Sequence, residues 1–126
     1  MPLLLSLEWK NNCLDIEVFY EKGFPYVVYK DRRLFFPKAW SRAWIKLSVT
    51  SLLMEQDDDS PHRYFPRKMK ISDDAWFIDI GGAEGIATLE VIDSVKKAII
   101  IEGDKEWVEP LKLTFRPWKE KVSLIN

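Results

Sequence analysis

Alternation of apolar and polar positions dominates the first third of the chain. Leu14-Asp15-Ile16-Glu17-Val18-Phe19-Tyr20, Tyr26-Val27-Val28-Tyr29 and Leu34-Phe35-Phe36 are rich in β-branched and aromatic residues, the composition of strands. Gly23 and Pro25 separate the first two runs, and Lys30-Asp31-Arg32-Arg33 the second and third, which predicts a small antiparallel meander. From Ala39 the period changes. Trp40, Trp44, Leu47, Leu52 and Leu53 recur near helical spacing, with Arg42 and Lys46 on other faces, so one amphipathic helix is expected, ending near Gln56. Its paired tryptophans read as core packing.

Residues 57–66 are largely polar and broken by Pro61 and Pro66, hence a loop. Beyond them apolar runs alternate in kind. Trp76-Phe77-Ile78-Asp79-Ile80 suits a buried strand, Ile86 to Ile92 a helix, Lys97 to Glu102 a second strand, Glu106 to Phe115 a second helix, and Val122 to Ile125 a third strand. The β-α-β-α-β order with near-continuous apolar strands predicts a parallel, helix-covered sheet. The expected organisation is α/β, with a lead-in over residues 1–66 of meander, helix and loop, and a half-domain over residues 67–126.

With 126 residues, 47% hydrophobic and 31% charged, the chain has the composition of a globular domain rather than of a disordered or fibrous one. No apolar run approaches the roughly 18 residues of a membrane span, and the short Met1-Pro2-Leu3-Leu4-Leu5 opening has no basic flank. A lone Cys13 makes no internal disulfide and reads as a small buried hydrophobe; a cytoplasmic location is expected. The net charge of −1 gives no field for nucleic acid or an anionic membrane. Residues 1–71 carry 12 basic against 9 acidic side chains and residues 72–126 carry 7 against 11, an asymmetry that attraction between the two halves would explain. Asp57-Asp58-Asp59 lacks the alternating ligands and glycine turn of a calcium loop, so no metal site is expected.

Three of the five glycines, Gly81, Gly82 and Gly85, fall between the first parallel strand and its helix, where glycine lets the backbone approach a nucleotide. A dinucleotide fingerprint fails, because Ala83 and Ile86 stand where G-x-G-x-x-G needs glycine. Asp79-Ile80-Gly81-Gly82-Ala83-Glu84-Gly85 instead resembles the D-x-G-x-x-x-G opening of S-adenosylmethionine-dependent methyltransferases of the Rossmann-like type. The chemistry agrees: that cofactor is cationic at its sulfonium and ammonium, and acidic Asp79 and Glu84 suit it. Glu102 ends the second strand 23 residues after Asp79, where an acid can accept both hydroxyls of a ribose, and Gly103 leaves a ligand room. The bland alternative is a tight turn with Glu102 capping the next helix.

Residues Trp76 to Asn126, with Glu55-Gln56 and Ser60-Pro61-His62-Arg63-Tyr64, resemble the FkbM family of methyltransferases, associated with O-methylation of glycans and secondary metabolites. The resemblance implies S-adenosylmethionine as cofactor and a small-molecule or glycan hydroxyl acceptor. By position it implies that Asp79, Gly81 and Gly85, with Gly82, Ala83 and Glu84 of the same loop, line the methionine portion, and that Glu102 holds the ribose. Where the family commonly has alanine-asparagine, this chain has Gly82-Ala83, removing a polar contact.

His62 is the only histidine and the candidate general base for an acceptor hydroxyl; Arg63 beside it suits an anionic acceptor. The family continues past the position of Asn126. Val122 to Ile125 is apolar on both faces, so either the gene product is longer, or the open edge pairs with another copy or lies under the meander. The rival to an enzyme is a non-catalytic oligomerisation or partner-binding module derived from a methyltransferase half.

Overall fold

A computed structural model describes residues 15–66 and 69–126; Cys13 and the residues before it lie outside the described part. The meander forms as β1 (Phe19–Glu21), β2 (Phe24–Tyr29) and β3 (Arg32–Phe35), antiparallel in sequence order. Its strands run closer together than the separators suggest. Glu21 pairs with Phe24 and Tyr29 with Arg32, so each turn has two residues, Lys22-Gly23 and Lys30-Asp31, all with positive φ. That is the type I′ geometry, whose twist matches the strands it joins. Pro25 and Arg32-Arg33 are therefore strand residues. Asp31 holds φ at 63°, where a side chain is disfavoured. Asp31→Gly is expected to raise stability by about 0.5 to 1 kcal/mol, read from the midpoint of chemical denaturation.

Helix α1 (Arg42–Glu55) starts at Ser41, whose hydroxyl accepts the Trp44 N–H at 3.1 Å, an N-cap of the usual kind. It ends at Gln56, but its buried face differs from the expected one. Ile45, Val49 and Thr50 face the core, while Trp44 and Leu47 are about half exposed. The tryptophan spacing marks a second apolar stripe beside the core-facing one.

The second half folds as β4 (Trp76–Ile80), α2 (Ile86–Val91), β5 (Lys97–Ile101), a 3-10 turn at Lys105–Trp107, α3 (Val108–Thr114), another at Arg116–Trp118, and β6 (Val122–Ile125). The sheet is parallel with β5 in the centre. Its register places Phe77, Ala98 and Val122 in one row and Asp79, Ile100 and Leu124 in the next. These rows face the core, where Ala98 and Ile100 are fully buried. The opposite rows are open: Trp76, Ile78, Ile80 and Ile125 are all more than half exposed. The expectation of a buried first strand is corrected accordingly, since β4 is an edge strand with one covered face.

Buried residues of the meander, α1 and the parallel sheet make one cluster, from Leu34 and Phe36 through Ile45 and Val49 to Leu89, Ile92, Ile100, Leu111 and Phe115. Burial of this apolar surface is the principal stabilising term. The meander packs on the helices rather than over the edge of β6. The Phe35 N–H donates to the Thr114 hydroxyl at 3.0 Å and Arg32 to the Leu89 carbonyl at 2.6 Å. Lys30 pairs with Glu90 and Arg32 with Asp93, so basic side chains of the first half meet acidic ones of the second. Trp107 and Phe115 are buried under this packing and Trp118 partly so.

Candidate functional site

The glycine loop leaves the carboxyl end of β4 and turns into α2. Its conformation explains its composition position by position. Gly81 has φ 72° and Gly85 φ 82°, the left-handed region that glycine enters freely. A Cβ on Gly82 would stand 2.6 Å from Ile100 Cγ2, and one on Gly85 would stand 2.7 Å from the Phe115 ring and 3.0 Å from Leu111. Those two glycines are thus demanded by the close approach of the loop to β5 and α3. Gly81 is different, because nothing lies within 4 Å of where its Cβ would be. Gly81 also lines a cavity.

That cavity, of about 400 Å³, is lined by the loop from Asp79 to Glu84, by Leu52 of α1, and by Tyr64, Phe65 and Phe77. Asp79 is held on β4 by the Thr88 hydroxyl of α2, which donates to Asp79 Oδ2 at 2.7 Å. Thr88 is fully buried, and a buried hydroxyl needs such a partner. Glu102, just past β5, turns back on the loop: its Oε2 accepts the Ala83 N–H and its Oε1 the Asp104 N–H, each at 2.8 Å. Ala83 itself sits at φ 45°, a conformation in which asparagine is at ease and alanine is not.

Of the residues singled out from sequence, Asp79, Gly81, Gly82, Ala83 and Glu84 line the cavity. Gly85 and Glu102 are not among the residues lining it; Gly85 packs the loop against Phe115 and Leu111, and Glu102 braces it through the Ala83 amide. His62 is exposed and does not line the cavity; its backbone N–H bonds the Ser60 hydroxyl at 3.2 Å. Arg63 is paired with Asp58, and Asp57 caps its own turn by accepting the Asp59 N–H at 3.1 Å. Sequence reasoning missed Thr88, Phe77 and Phe65. Their signal, a threonine nine residues after Asp79 and aromatic residues two residues before Asp79 and on the loop, is indistinguishable from ordinary core composition. Gln56 adds an orphan: its Oε1 accepts the Tyr64 N–H at 3.2 Å, while its buried Nε2 has no partner among the described residues.

No lysine or arginine is among the described residues lining this cavity. Burial pushes the Glu84 carboxyl up to about 7, and the negative charges of Asp79 and Glu55 act in the same direction, against the backbone amides of Glu84 and Ile86. The half-exposed Tyr64 phenol is raised by partial burial and then by Glu84, Glu55 and Asp79. A carboxyl raised on folding binds a proton in the native state that the unfolded chain releases, so stability falls as pH rises from 4.5 to about 7. Glu84→Gln, which mimics the protonated form, is expected to match the parent below pH 4.5. At pH 8 it should exceed the parent by about 1 to 2 kcal/mol after allowance for solvent screening. Denaturation at the two pH values checks this; a variant that gains nothing at pH 8 contradicts it.

The geometry is thus a roomy, acid-lined cavity at the carboxyl end of a parallel strand, with a glycine loop open toward it and a carboxylate bracing that loop. No protein-family model matches the chain, and comparison with curated proteins finds no match.

Proposed function

We propose that this chain is the cofactor-binding part of an S-adenosylmethionine-dependent O-methyltransferase of the FkbM type, its parallel sheet being the first half of a Rossmann-like domain. The observation that carries the proposal is the cavity at the end of β4, where Gly81 is open and the only charged lining residues described are Asp79 and Glu84. An anionic diphosphate meets no lysine or arginine among the described lining residues, whereas a ligand with a sulfonium and an ammonium group meets two carboxyls. Ligands of open α/β sheets bind at the carboxyl ends of strands, which is where β4 and β5 present the loop and Glu102.

The residues present fit that cofactor. Asp79, fixed by Thr88, and Glu84 would face its cationic end, and the open Gly81 backbone would let it lie close. Glu102 spends one acceptor site on the loop at Ala83 and one on the Asp104 amide and, with about four lone pairs on a carboxylate, keeps capacity for ribose hydroxyls. Phe65, Phe77 and Leu52 would exclude water from the apolar parts. When bound, S-adenosylmethionine supplies an electrophilic methyl group, which an acceptor hydroxyl takes up with loss of its proton, leaving a neutral thioether. The contribution of the chain is alignment and a charge-matched wall, the main lever for such a transfer. Tyr64, at the cavity, is better placed than His62 to touch an acceptor.

A second reading, a non-catalytic partner-binding module, is favoured by the open face of β4, where Trp76, Ile78 and Ile80 are exposed and Lys97 lies 5.3 Å over the Trp76 ring. Calorimetric titration separates the two. The enzyme reading predicts saturable binding of S-adenosylmethionine and of its demethylated product, and none of NAD. A folded chain that binds neither supports the module, and tight NAD binding overturns the assignment of cofactor class.

A further inference from the structure

The two faces of the parallel sheet are nearly alike in composition and opposite in burial. On the central strand β5, Ala98 and Ile100 are fully buried, while Ile99 and Ile101 are only partly so. The register extends that open side across the whole sheet: Ile78 lies beside Ile99 and Ser123, and Ile80 beside Ile101 and Ile125. Trp76, beside Lys97, ends the surface at the amino side. Neighbouring strands are about 4.8 Å apart, so these side chains form one contiguous apolar surface rather than scattered exposed residues. Parallel strands that are apolar on both sides ordinarily have both sides covered.

Area and charge say what fits this face. Trp76, Ile78, Ile80 and Ile125 are 58, 56, 78 and 51% exposed, and with them the face presents on the order of 500 Å² of apolar surface, the upper end of what monomers tolerate. Two such faces in contact remove on the order of 1,000 Å², about the least that a specific protein pair buries. Lys97 is the only charged residue in these rows, held at one end with its ammonium 5.3 Å over the Trp76 ring. No carboxylate stands among them, so the face offers a partner of opposite charge no pattern to read, while a second copy meets it with the same size and apolarity. The acidic residues come at the other end of the same strand, where Glu102 and Asp104 follow β5.

We propose that two copies of this chain associate through the open faces of their β4-β5-β6 sheets, stacked about a two-fold axis with the strands of the two copies running in opposite senses. Stacked sheets lie about 10 Å apart with their strands within about 30° of alignment. Ile78 and Ile99 of both copies then fill the centre, and Ser123, on the edge strand β6, stands at the rim. The opposed sense keeps the two Lys97 side chains at opposite ends, each toward the end where Glu102 and Asp104 of the other copy follow β5; a parallel stack would bring the two lysines together. A two-fold contact closes at two copies. The association uses the face opposite to Asp79 and stands whether or not the chain binds S-adenosylmethionine.

Sedimentation velocity of the full chain, from low micromolar to about a hundred micromolar, tests it. A monomer–dimer equilibrium is expected, with the dimer predominant at the upper end. Ile78→Glu is expected to raise the dissociation constant by about ten-fold or more, as for a central apolar contact, and Trp76→Ala several-fold. Both side chains are more than half exposed, so circular dichroism should be unchanged. Val28→Glu is the control, an equally exposed apolar residue on the other sheet, and should leave the dimer intact. A chain that stays monomeric throughout, assemblies that grow beyond two copies, or folded Ile78→Glu and Trp76→Ala variants that pair as the parent does each overturn the proposal. So does a Val28→Glu chain that dissociates as readily as Ile78→Glu, because the contact then lies on another surface.

Discussion

Gly85→Val is expected to cost about 3 kcal/mol of stability, the sum of overpacking a filled core and placing a branched side chain at positive φ. The two contributions are visible separately. At φ 82° any L side chain is strained, and the new Cβ would fall 2.7 Å from Phe115 Cε2 and 3.0 Å from Leu111 Cδ2. Neither neighbour has room to retreat, because Phe115 is 3% and Leu111 1% exposed. Gly85 also accepts the first helical hydrogen bond of α2, from the Leu89 N–H at 2.9 Å, so a shift there propagates into the helix that carries Thr88. Gly81→Ala has the same strain at φ 72° with nothing to strike, and should cost only about 1 to 2 kcal/mol. Equal losses at the two positions, read by chemical denaturation, would contradict this account of the loop.

Glu102→Ala is expected to weaken S-adenosylmethionine binding by about 1 to 3 kcal/mol, the scale of hydrogen bonds to a charged acceptor, or roughly five- to 150-fold in affinity. Two losses combine. The Ala83 and Asp104 amides lose their acceptor, which loosens the loop, and the ribose would lose its partner. Glu102→Gln keeps one carbonyl oxygen but turns an NH2 group toward one of those amide donors, and should lie between alanine and the parent. Calorimetry at matched folded fractions isolates the binding effect from any stability effect. Unchanged affinity in a folded Glu102→Ala chain would leave Glu102 a structural brace and nothing more.

The sequence carries the secondary structure of this chain well where periodicity and chemistry agree. Trp76 to Ile80 and Val122 to Ile125 are strands with the expected bounds, and α1 ends at Gln56 as its pattern predicts. The site was legible as a local string, because a loop from Asp79 to Gly85 is contiguous and its glycines answer to backbone geometry. What was hidden depends on packing across the chain. Which stripe of α1 is buried is decided by the sheet beneath it, so the spacing of Trp40 and Trp44 could not tell the core face from the half-exposed stripe beside it. The covered face of β4 is likewise set by where α2 and α3 lie, and an apolar run such as Trp76 to Ile80 reads the same with one face covered or two. The role of Glu102 was hidden for a related reason: its contact with the Ala83 amide spans 19 residues and follows from the parallel register of β4 and β5. His62 drew notice as the sole histidine, yet proximity to the cavity falls two residues later, at Tyr64.

The most direct test is an amide chemical-shift map of the isotopically labelled chain titrated with S-adenosylmethionine. The account predicts saturable shifts at Gly81, Gly82, Ala83, Glu84 and Asp104, with the amides of the β1–β2 turn at Lys22 and Gly23 unmoved. A folded chain whose glycine-loop amides stay in place at saturating cofactor, or whose shifts gather elsewhere, would contradict it.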